Sequence, residues 1–270
     1  MRPWRTETWV WKPACAASTA RSQPESPAPT TSTRSPSRYA RCGTRLEGGT
    51  AALGTFSTAH QLLLPGLVEA FARRHPRVAI RVVGENSVQI ADAVRSGRLE
   101  AGLVALPIND DGLDVGAAVA EFSVVHATAA PEALDGPITI ERLATCSLVL
   151  PDARWGDQDP ARRQLAERAQ RASVTIRPRI EVQHAGASLE LAARGYGDTL
   201  VTTALVDVLG YRDRLTCRPL DPPLQEVFAF IQRRHTRLSP ATRALMTLAE
   251  EHLAALAGRQ RRSHPEATPT

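Results

Sequence analysis

Ser57 and His60 are the two residues whose types and spacing come closest to catalytic chemistry in this chain of 270 residues. A serine becomes a nucleophile when a histidine takes its proton and a third group orients that histidine. The sequence suggests no such third group, and it lacks the G-x-S-x-G, H-E-x-x-H, phosphate-loop and G-x-G-x-x-G motifs. We therefore predict that the protein is not an enzyme.

The four cysteines raise the question of metal or redox chemistry. Cys15, Cys42, Cys146 and Cys217 form no C-x-x-C pair, and none has a companion histidine at ligand spacing. Metal and redox sites that are readable from sequence usually show such spacing. The sequence therefore predicts reduced thiols, no metal site and no cofactor.

Charge and hydropathy limit the class of partner. Residues 1–48 carry eight Lys/Arg and three Asp/Glu, whereas residues 49–270 carry twenty-five of each. Nucleic-acid binding usually needs a basic patch, so the larger part gives no electrostatic support for it. No apolar run reaches the length of a membrane span, and the N-terminus lacks the apolar stretch of a signal peptide. We expect a cytoplasmic protein that does not contact a membrane.

Residues 1–48 differ in composition from the rest of the chain. Between positions 18 and 39 the sequence is dominated by Pro, Ser, Thr and Arg, with almost nothing to bury. Such a segment cannot offset the entropy that ordering costs, so we predict a disordered N-terminal tail. Two origins remain open: translation in a shifted frame or from a wrong start, or a genuine flexible tail.

A regular pattern begins at residue 50. "TAALGTF" predicts a strand at 50–56, and Thr58 with Gln61 matches a capping box that would start a helix. The spacing of Leu64, Leu67, Val68 and Phe71 predicts one buried face on that helix. Pro76 marks its end.

A second strand and helix follow. "VAIRVV" at 78–83 alternates as a strand does, Asn86 with Gln89 repeats the cap pattern, and Gly97 stops the second helix. "LEAGLVAL" at 99–106 predicts a strand that is covered on both faces. The β-α-β-α-β order predicts a mostly parallel sheet with helices on both sides.

These segments resemble the effector-binding region of LysR-type transcriptional regulators. The resemblance begins with "STAHQLLLPGLVEAFARRHP" and "SGRLEAGLVAL", where Glu100 replaces the usual Asp. It continues with "IEVQHAGASLELAARGYGDTLV" at 180–201, where Arg194 replaces a small residue, and closes with "FAFIQRRHTRLSPATRALMTLAEEHL" at 228–253. It covers about residues 49–256, and Thr202 and Thr203 stand where the family commonly has Pro.

The resemblance implies a two-lobed α/β fold like that of type 2 periplasmic binding proteins, each lobe a mostly parallel sheet flanked by helices. Residues 49–257 would form this domain, with lobe I at 49–122 and 226–257 and lobe II at 123–225. The chain would cross between the lobes near 121–125 and 221–227, and residues 258–270 would be a flexible tail. The family also pairs into dimers through the first helix, where Leu63 and Val68 would contribute.

The same resemblance implies an effector site in the cleft, at helix N-termini that favour anions. The candidates on one wall are Phe56, Ser57, Thr58, Asn86 and Ser87. Those on the other wall are Asp152, Ala153, His184 and Thr202. The alternative for Thr58, Asn86 and Ser87 is a structural role as helix caps, and for His184 a place at a helix start.

The implied function is that of an effector-sensing domain, which binds a small, anionic metabolite such as an organic acid. The expected partners are this effector and a second copy of the chain. The family's winged helix-turn-helix is not recognisable in residues 1–48, so we expect DNA binding only if such a head is restored. The alternatives are a solute-binding protein of a transporter, which the lack of a signal peptide disfavours, and a stand-alone ligand-binding module.

Overall fold

The computed structural model describes residues 46–130, 136–151 and 159–263, and the structural statements below concern these residues. The predicted tail lies almost entirely outside them, as do Asp152 and Ala153. Within the described ranges, no helix combines the length and the apolar character that crossing a bilayer requires.

The first five elements follow the predicted order. They are β1 (Thr50–Phe56), α1 (Ser57–Arg74), β2 (Ala79–Glu85), α2 (Ser87–Arg95) and β3 (Ala101–Leu106). Strand β1 pairs in parallel with both β2 and β3. The first five residues of β3 are buried, as predicted for a strand that is covered on both faces.

The two predicted helix caps have different outcomes. The prediction for α2 is confirmed, because Asn86 Oδ1 accepts a hydrogen bond from the Gln89 N–H at 2.8 Å. The capping box of Thr58 and Gln61 is wrong: α1 begins at Ser57, its N-cap is Phe56, and no side chain caps it. Because β1 runs directly into the helix, Thr58 is already inside the first turn and its hydroxyl is not in a capping position.

The buried face of α1 is shifted from the prediction. Leu67 and Phe71 are buried as expected, whereas Leu64 and Val68 are only half-buried. Leu63 is 1% exposed and belongs to the core, so its predicted place on a dimer surface is wrong. The reason is that α6 and α7 both contact α1 and contribute to the core cluster that contains Leu63. Dimer formation itself stays a prediction, which light scattering of the full chain tests.

The remaining elements complete a mixed α/β fold, and the last helix extends to Ser263, beyond the domain end predicted at 257. They are β4 (Leu113–Thr128), β5 (Ile138–Thr139), α3 (Ile140–Leu143), β6 (Val149–Leu150), α4 (Pro160–Arg171), β7 (Ile180–Glu181), α5 (Ala185–Ala193), β8 (Thr199–Thr202), α6 (Thr203–Val208), β9 (Thr216–Arg233) and α7 (Pro240–Ser263).

Two long antiparallel strands, β4 and β9, connect the two ends of the main sheet. The order in this sheet is β2-β1-β3-β9-β4-β8, with β5 also paired to β9. Glu121 pairs with Val227 and Val124 with Leu224, so the two predicted crossing segments lie side by side. The next pair is Val125 with Pro219, which leaves residues 220–223 of β9 outside the β4 ladder.

Three aromatic rings fill the core where these strands meet α1. The Phe228 ring lies 4.7 Å from that of Phe56, edge to face, and 5.0 Å from that of Phe122. All three side chains are at most 4% exposed. The rings therefore fix the end of β1, and with it the start of α1, against the crossing strands.

Candidate functional site

A pocket lies where the starts of three helices meet the crossing strands. It is lined by Thr58 in the first turn of α1, by Ala185 at the start of α5 and by Thr202, which directly precedes α6. Val124 of β4 and Glu226 of β9 form the side between them. The first turns of α1 and α5 carry N–H groups that have no partner within their own helix, which favours negative charge nearby.

The start of α4 forms another wall of this pocket. Asp159 caps α4 by accepting hydrogen bonds from the N–H groups of Ala161 at 2.9 Å and Arg162 at 3.1 Å. Burial raises the pKa of the Asp159 carboxyl, and these two N–H bonds oppose that rise. The Arg162 guanidinium donates to the Pro151 carbonyl at 3.0 Å and to Glu181 Oε1 at 2.8 Å. The pocket thus has a guanidinium and two carboxyl groups, those of Asp159 and Glu226, on its lining.

Several buried polar atoms near these helix starts have no hydrogen-bond partner within the described part of the chain. They are Ser57 Oγ, Thr202 Oγ1, Thr203 Oγ1 and Asn86 Nδ2. Buried polar groups in proteins are rarely left unpaired, so such atoms are candidates for water or ligand contacts. Of the four residues, only Thr202 lines the pocket.

Three of the predicted site residues support the fold. Phe56 is in the aromatic core. Ser87 is fully buried, and its hydroxyl oxygen accepts a hydrogen bond from the Ala105 N–H of β3 at 2.9 Å. Asn86 caps α2. The structure thus brings Thr58 and Thr202 together in one pocket, while these three residues do not line it.

His184 is exposed and precedes α5 without capping it. It acts on His60 of α1, because burial, and secondly the nearby His184, lower the pKa of the His60 imidazole below 6.5. The Thr55 hydroxyl lies 3.0 Å from His60 Nδ1. Two histidines therefore lie near each other at the starts of α1 and α5.

We expect a histidine titration followed by NMR to give His60 a pKa below 6.5, because burial and a second positive charge both disfavour its cationic form. The substitution His184→Gln should raise the pKa of His60 only partly, since burial is the larger cause. Neutral His60 stabilises the folded chain above pH 6.5, and this contribution is lost as the pH falls through the lowered pKa. A His60 pKa that is not below 6.5 in the parent chain, or one that does not rise in His184→Gln, would contradict this arrangement.

The sequence analysis missed three polar residues of the pocket: Asp159, Arg162 and Glu226. A signal for the first was present, because Asp159 followed by Pro160 is the pattern of an N-cap before Pro at the first helical position. Arg162 follows one turn later. Glu226 had no comparable signal, since its place depends on the pairing of β9 with β4, where it stands opposite Phe122.

Comparison with known proteins adds a family to this geometry. The model of the LysR substrate binding domain matches residues 44–254. A curated relative from Anaeromyxobacter dehalogenans strain 2CP-C, named phosphonates import ATP-binding protein PhnC, is 30% identical over 208 residues, which are 75% of this chain and 41% of that protein. This chain thus spans about two fifths of that relative's length.

Two solved structures share the fold. The effector binding domain of QuiR in complex with shikimate has a TM-score of 0.62 at 15% identity, covering 76% of this chain and 97% of that one. The CcmR regulatory domain of Synechocystis PCC6803 in complex with 2-PG has a TM-score of 0.65 at 19% identity, covering 82% and 100%. At these identities the likeness concerns the fold alone. Since the family model matches more than three quarters of the sequence, the chain belongs to the LysR substrate binding domain family.

Proposed function

We propose that this chain is the effector-sensing part of a LysR-type transcriptional regulator and that a small anionic metabolite binds in the pocket lined by Thr58 and Thr202. Family membership supports the regulatory role and confirms the prediction that the chain is not an enzyme. The observation that carries the proposed site is that two hydroxyl-bearing residues, from separate helix starts, line one pocket beside the crossing strands.

The charges around the pocket indicate how a bound effector would be oriented. The first turns of α1 and α5 offer N–H groups and partial positive charge, so the acid group of the effector belongs at Thr58 and Ala185. Glu226 and Asp159 lie on the lining as well, and a second anionic group beside them would be repelled. The effector is therefore an acid that carries hydroxyl or amine donors at its other end. Shikimate in the QuiR complex is a small acid with hydroxyl groups.

Effector binding in this pocket would change the preferred angle between the two lobes. Lobe I would comprise residues 49–122 and 226–257, and lobe II residues 123–225, so that Thr58 and Thr202 belong to different lobes. A ligand that touches both favours one angle between them, in proportion to its preference for that angle. In a regulator, this angle would set the spacing of DNA-binding heads, so effector binding and DNA geometry would be linked.

Calorimetry of the full chain against a panel of small hydroxy acids and amino acids tests the site. We expect Thr58→Val to weaken binding by about tenfold to a hundredfold, because losing a hydrogen bond to a charged group costs about 1.5–3 kcal/mol. Thr50→Val is the matched control, since Thr50 is exposed at the far end of β1. Ser87→Ala should instead lower thermal stability, because the Ser87 hydroxyl holds the Ala105 N–H.

Equal affinity in the parent and in Thr58→Val would remove Thr58 from the site. Binding that tightens when the ligand's acid group is replaced by an amide would contradict an anionic effector. A third outcome is that no acid on the panel binds, whereas a cationic or neutral compound binds at the same threonines. This would support the location of the site and contradict the proposal that the effector is an anion.

A further inference from the structure

His126, Cys146 and Asp198 form a cluster outside the effector pocket. His126 lies on β4, Asp198 directly precedes β8, and Cys146 follows α3. One potential ligand atom from each residue, an imidazole nitrogen, the thiol sulfur and a carboxylate oxygen, lies within 4.8 Å of the other two. None of the three lines the pocket described above. Their distance in sequence explains why the spacing of the cysteines gave no sign of a metal site.

The buried imidazole of His126 is the strongest indication that the cluster binds a ligand. This side chain is fully buried, and Nε2 lies 3.1 Å from Asp198 Oδ2. This contact has the distance of an ion pair, but neither ring nitrogen makes a hydrogen bond of good geometry within the described part of the chain. A buried imidazole with both nitrogens in this condition is uncommon, because an unsatisfied polar atom costs about 1–3 kcal/mol.

Asp198 is the point at which the cluster converges. Its carboxylate faces the side chains of His126, Thr128 and Cys146. Cys146 is half-buried, and its thiol also lies 3.4 Å from the Arg142 carbonyl. Burial, and secondly the Asp198 carboxylate, raise the pKa of the Cys146 thiol to about 11.

We propose that His126, Cys146 and Asp198 bind a zinc ion. Zinc takes nitrogen, thiolate sulfur and carboxylate oxygen in a tetrahedron at about 2.0–2.3 Å, which puts its ligand atoms about 3.3–3.8 Å apart. The present separations, which start at 3.1 Å between His126 Nε2 and Asp198 Oδ2 and stay within 4.8 Å, bracket that range. The Asp198 side chain is 22% exposed, so solvent reaches the cluster and a water would take the fourth position. On binding, the thiol proton is released to solvent and the sulfur donates as thiolate.

The backbone holds the three residues in place without a metal. His126 pairs with Leu200 across β4 and β8. The Asp198 N–H donates to the Ser147 carbonyl at 2.8 Å, and the Val149 N–H donates to the Asp198 carbonyl at 2.7 Å. The segment that carries Cys146 is therefore hydrogen-bonded to the segment that carries Asp198. Ligands on such fixed segments lose little entropy on binding.

The ligand set selects among cations. A thiolate and an imidazole are soft or borderline donors, which favour zinc over the hard ions Mg²⁺ and Ca²⁺. A bound zinc would join α3, β4 and the start of β8, and β8 leads directly to Thr202 of the pocket. The proposed zinc site does not depend on the proposed effector site, because the two share no residue.

The test uses the full chain with Cys15→Ser and Cys42→Ser in every sample, because those two cysteines lie outside the described residues. Equilibrium dialysis against zinc chloride, with metal analysis, should give one zinc per chain, and magnesium chloride should give none. Cobalt chloride should produce a thiolate-to-cobalt absorption band and the intense visible bands of a tetrahedral site. Cys146→Ala should weaken zinc binding at least tenfold and abolish the thiolate band.

Two further variants complete the design. Cys217→Ala is the matched control and should bind zinc like the parent, because Cys217 is a free thiol outside the cluster. Asp198→Asn should weaken binding while leaving the thiolate band of cobalt in place at higher concentration; it replaces a partly exposed side chain and so avoids the buried His126. Equal zinc affinity in Cys146→Ala and the parent, or no zinc retained by a folded parent, would reduce the cluster to a hydrogen-bond network.

Discussion

Phe228→Ala is expected to lower the free energy of unfolding by about 3–5 kcal/mol, the usual cost of removing a buried phenylalanine ring. The ring is fully buried and lies between those of Phe56 and Phe122, with centroids at 4.7 and 5.0 Å. Its removal leaves a cavity at the junction of β1, β4 and β9. Urea denaturation followed by circular dichroism measures the loss.

The control for this change is Tyr196→Ala. The Tyr196 ring is 53% exposed, so its removal should alter stability by no more than about 0.5 kcal/mol. Since Phe56 directly precedes the first turn of α1, Phe228→Ala should also weaken effector binding. If the two variants had the same unfolding midpoint, the aromatic cluster would not be the centre of the core.

Gly197→Ala should be nearly as costly, at about 3 kcal/mol or more. Gly197 has φ of +151°, and an added Cβ would lie 2.3 Å from the backbone oxygen of Ser147. The strained backbone alone costs about 1–3 kcal/mol. The contact adds to this cost, because a backbone oxygen that accepts the Asp198 N–H cannot move without breaking that bond.

Gly195→Ala separates the two contributions. Gly195 has φ of +79°, and nothing lies within 4 Å of an added Cβ, so only the left-handed backbone is penalised, by about 1–2 kcal/mol. Urea denaturation of both variants should show a larger loss for Gly197→Ala. Equal losses would mean that the segment at Ser147 yields to the new methyl group.

The order of elements could be predicted from the sequence because it depends on local signals. The strand before Ser57, the cap at Asn86 and the stop at Gly97 each involve residues a few positions apart, and the structure has all three. The prediction that Thr58 caps α1 failed because α1 begins at Ser57, directly after the last residue of β1. The capping pattern of Thr58 and Gln61 does not reveal where the preceding strand ends. The burial of Leu63 could likewise not be judged locally, because the core cluster that contains it includes residues of α6 and α7, which come far later in the chain.

The candidate site could be predicted only in part for the same reason. Thr58 lies two residues after the end of β1 and Thr202 is the last residue of β8, and chain order alone places such residues at the strand ends where ligands bind. Ser87 stands in an equivalent position, but its hydroxyl meets the Ala105 N–H, a contact that sequence does not reveal. The place of Glu226 depends on the pairing of β9 with β4, and that of the cluster around His126 on the pairing of β4 with β8. Arg162 is placed by its bonds to Pro151 and Glu181, and all of these contacts join segments that are distant in the sequence.

The interruption in the pairing of β4 with β9 has a mechanical consequence. Between the pairs Val124–Leu224 and Val125–Pro219, four residues of β9 leave the ladder, and β5 and α4 hold them, the latter through Arg168 and the carbonyls of Pro222 and Pro223. The same ladder also shifts register between Val115 and Ala118 and between Ala118 and Ala120, so regular pairing is broken at three places along the ribbon. Because ladder hydrogen bonds resist twisting, the ribbon is less stiff where they are missing, and at residues 220–223 the bonds from Arg168 tie β9 to α4 instead.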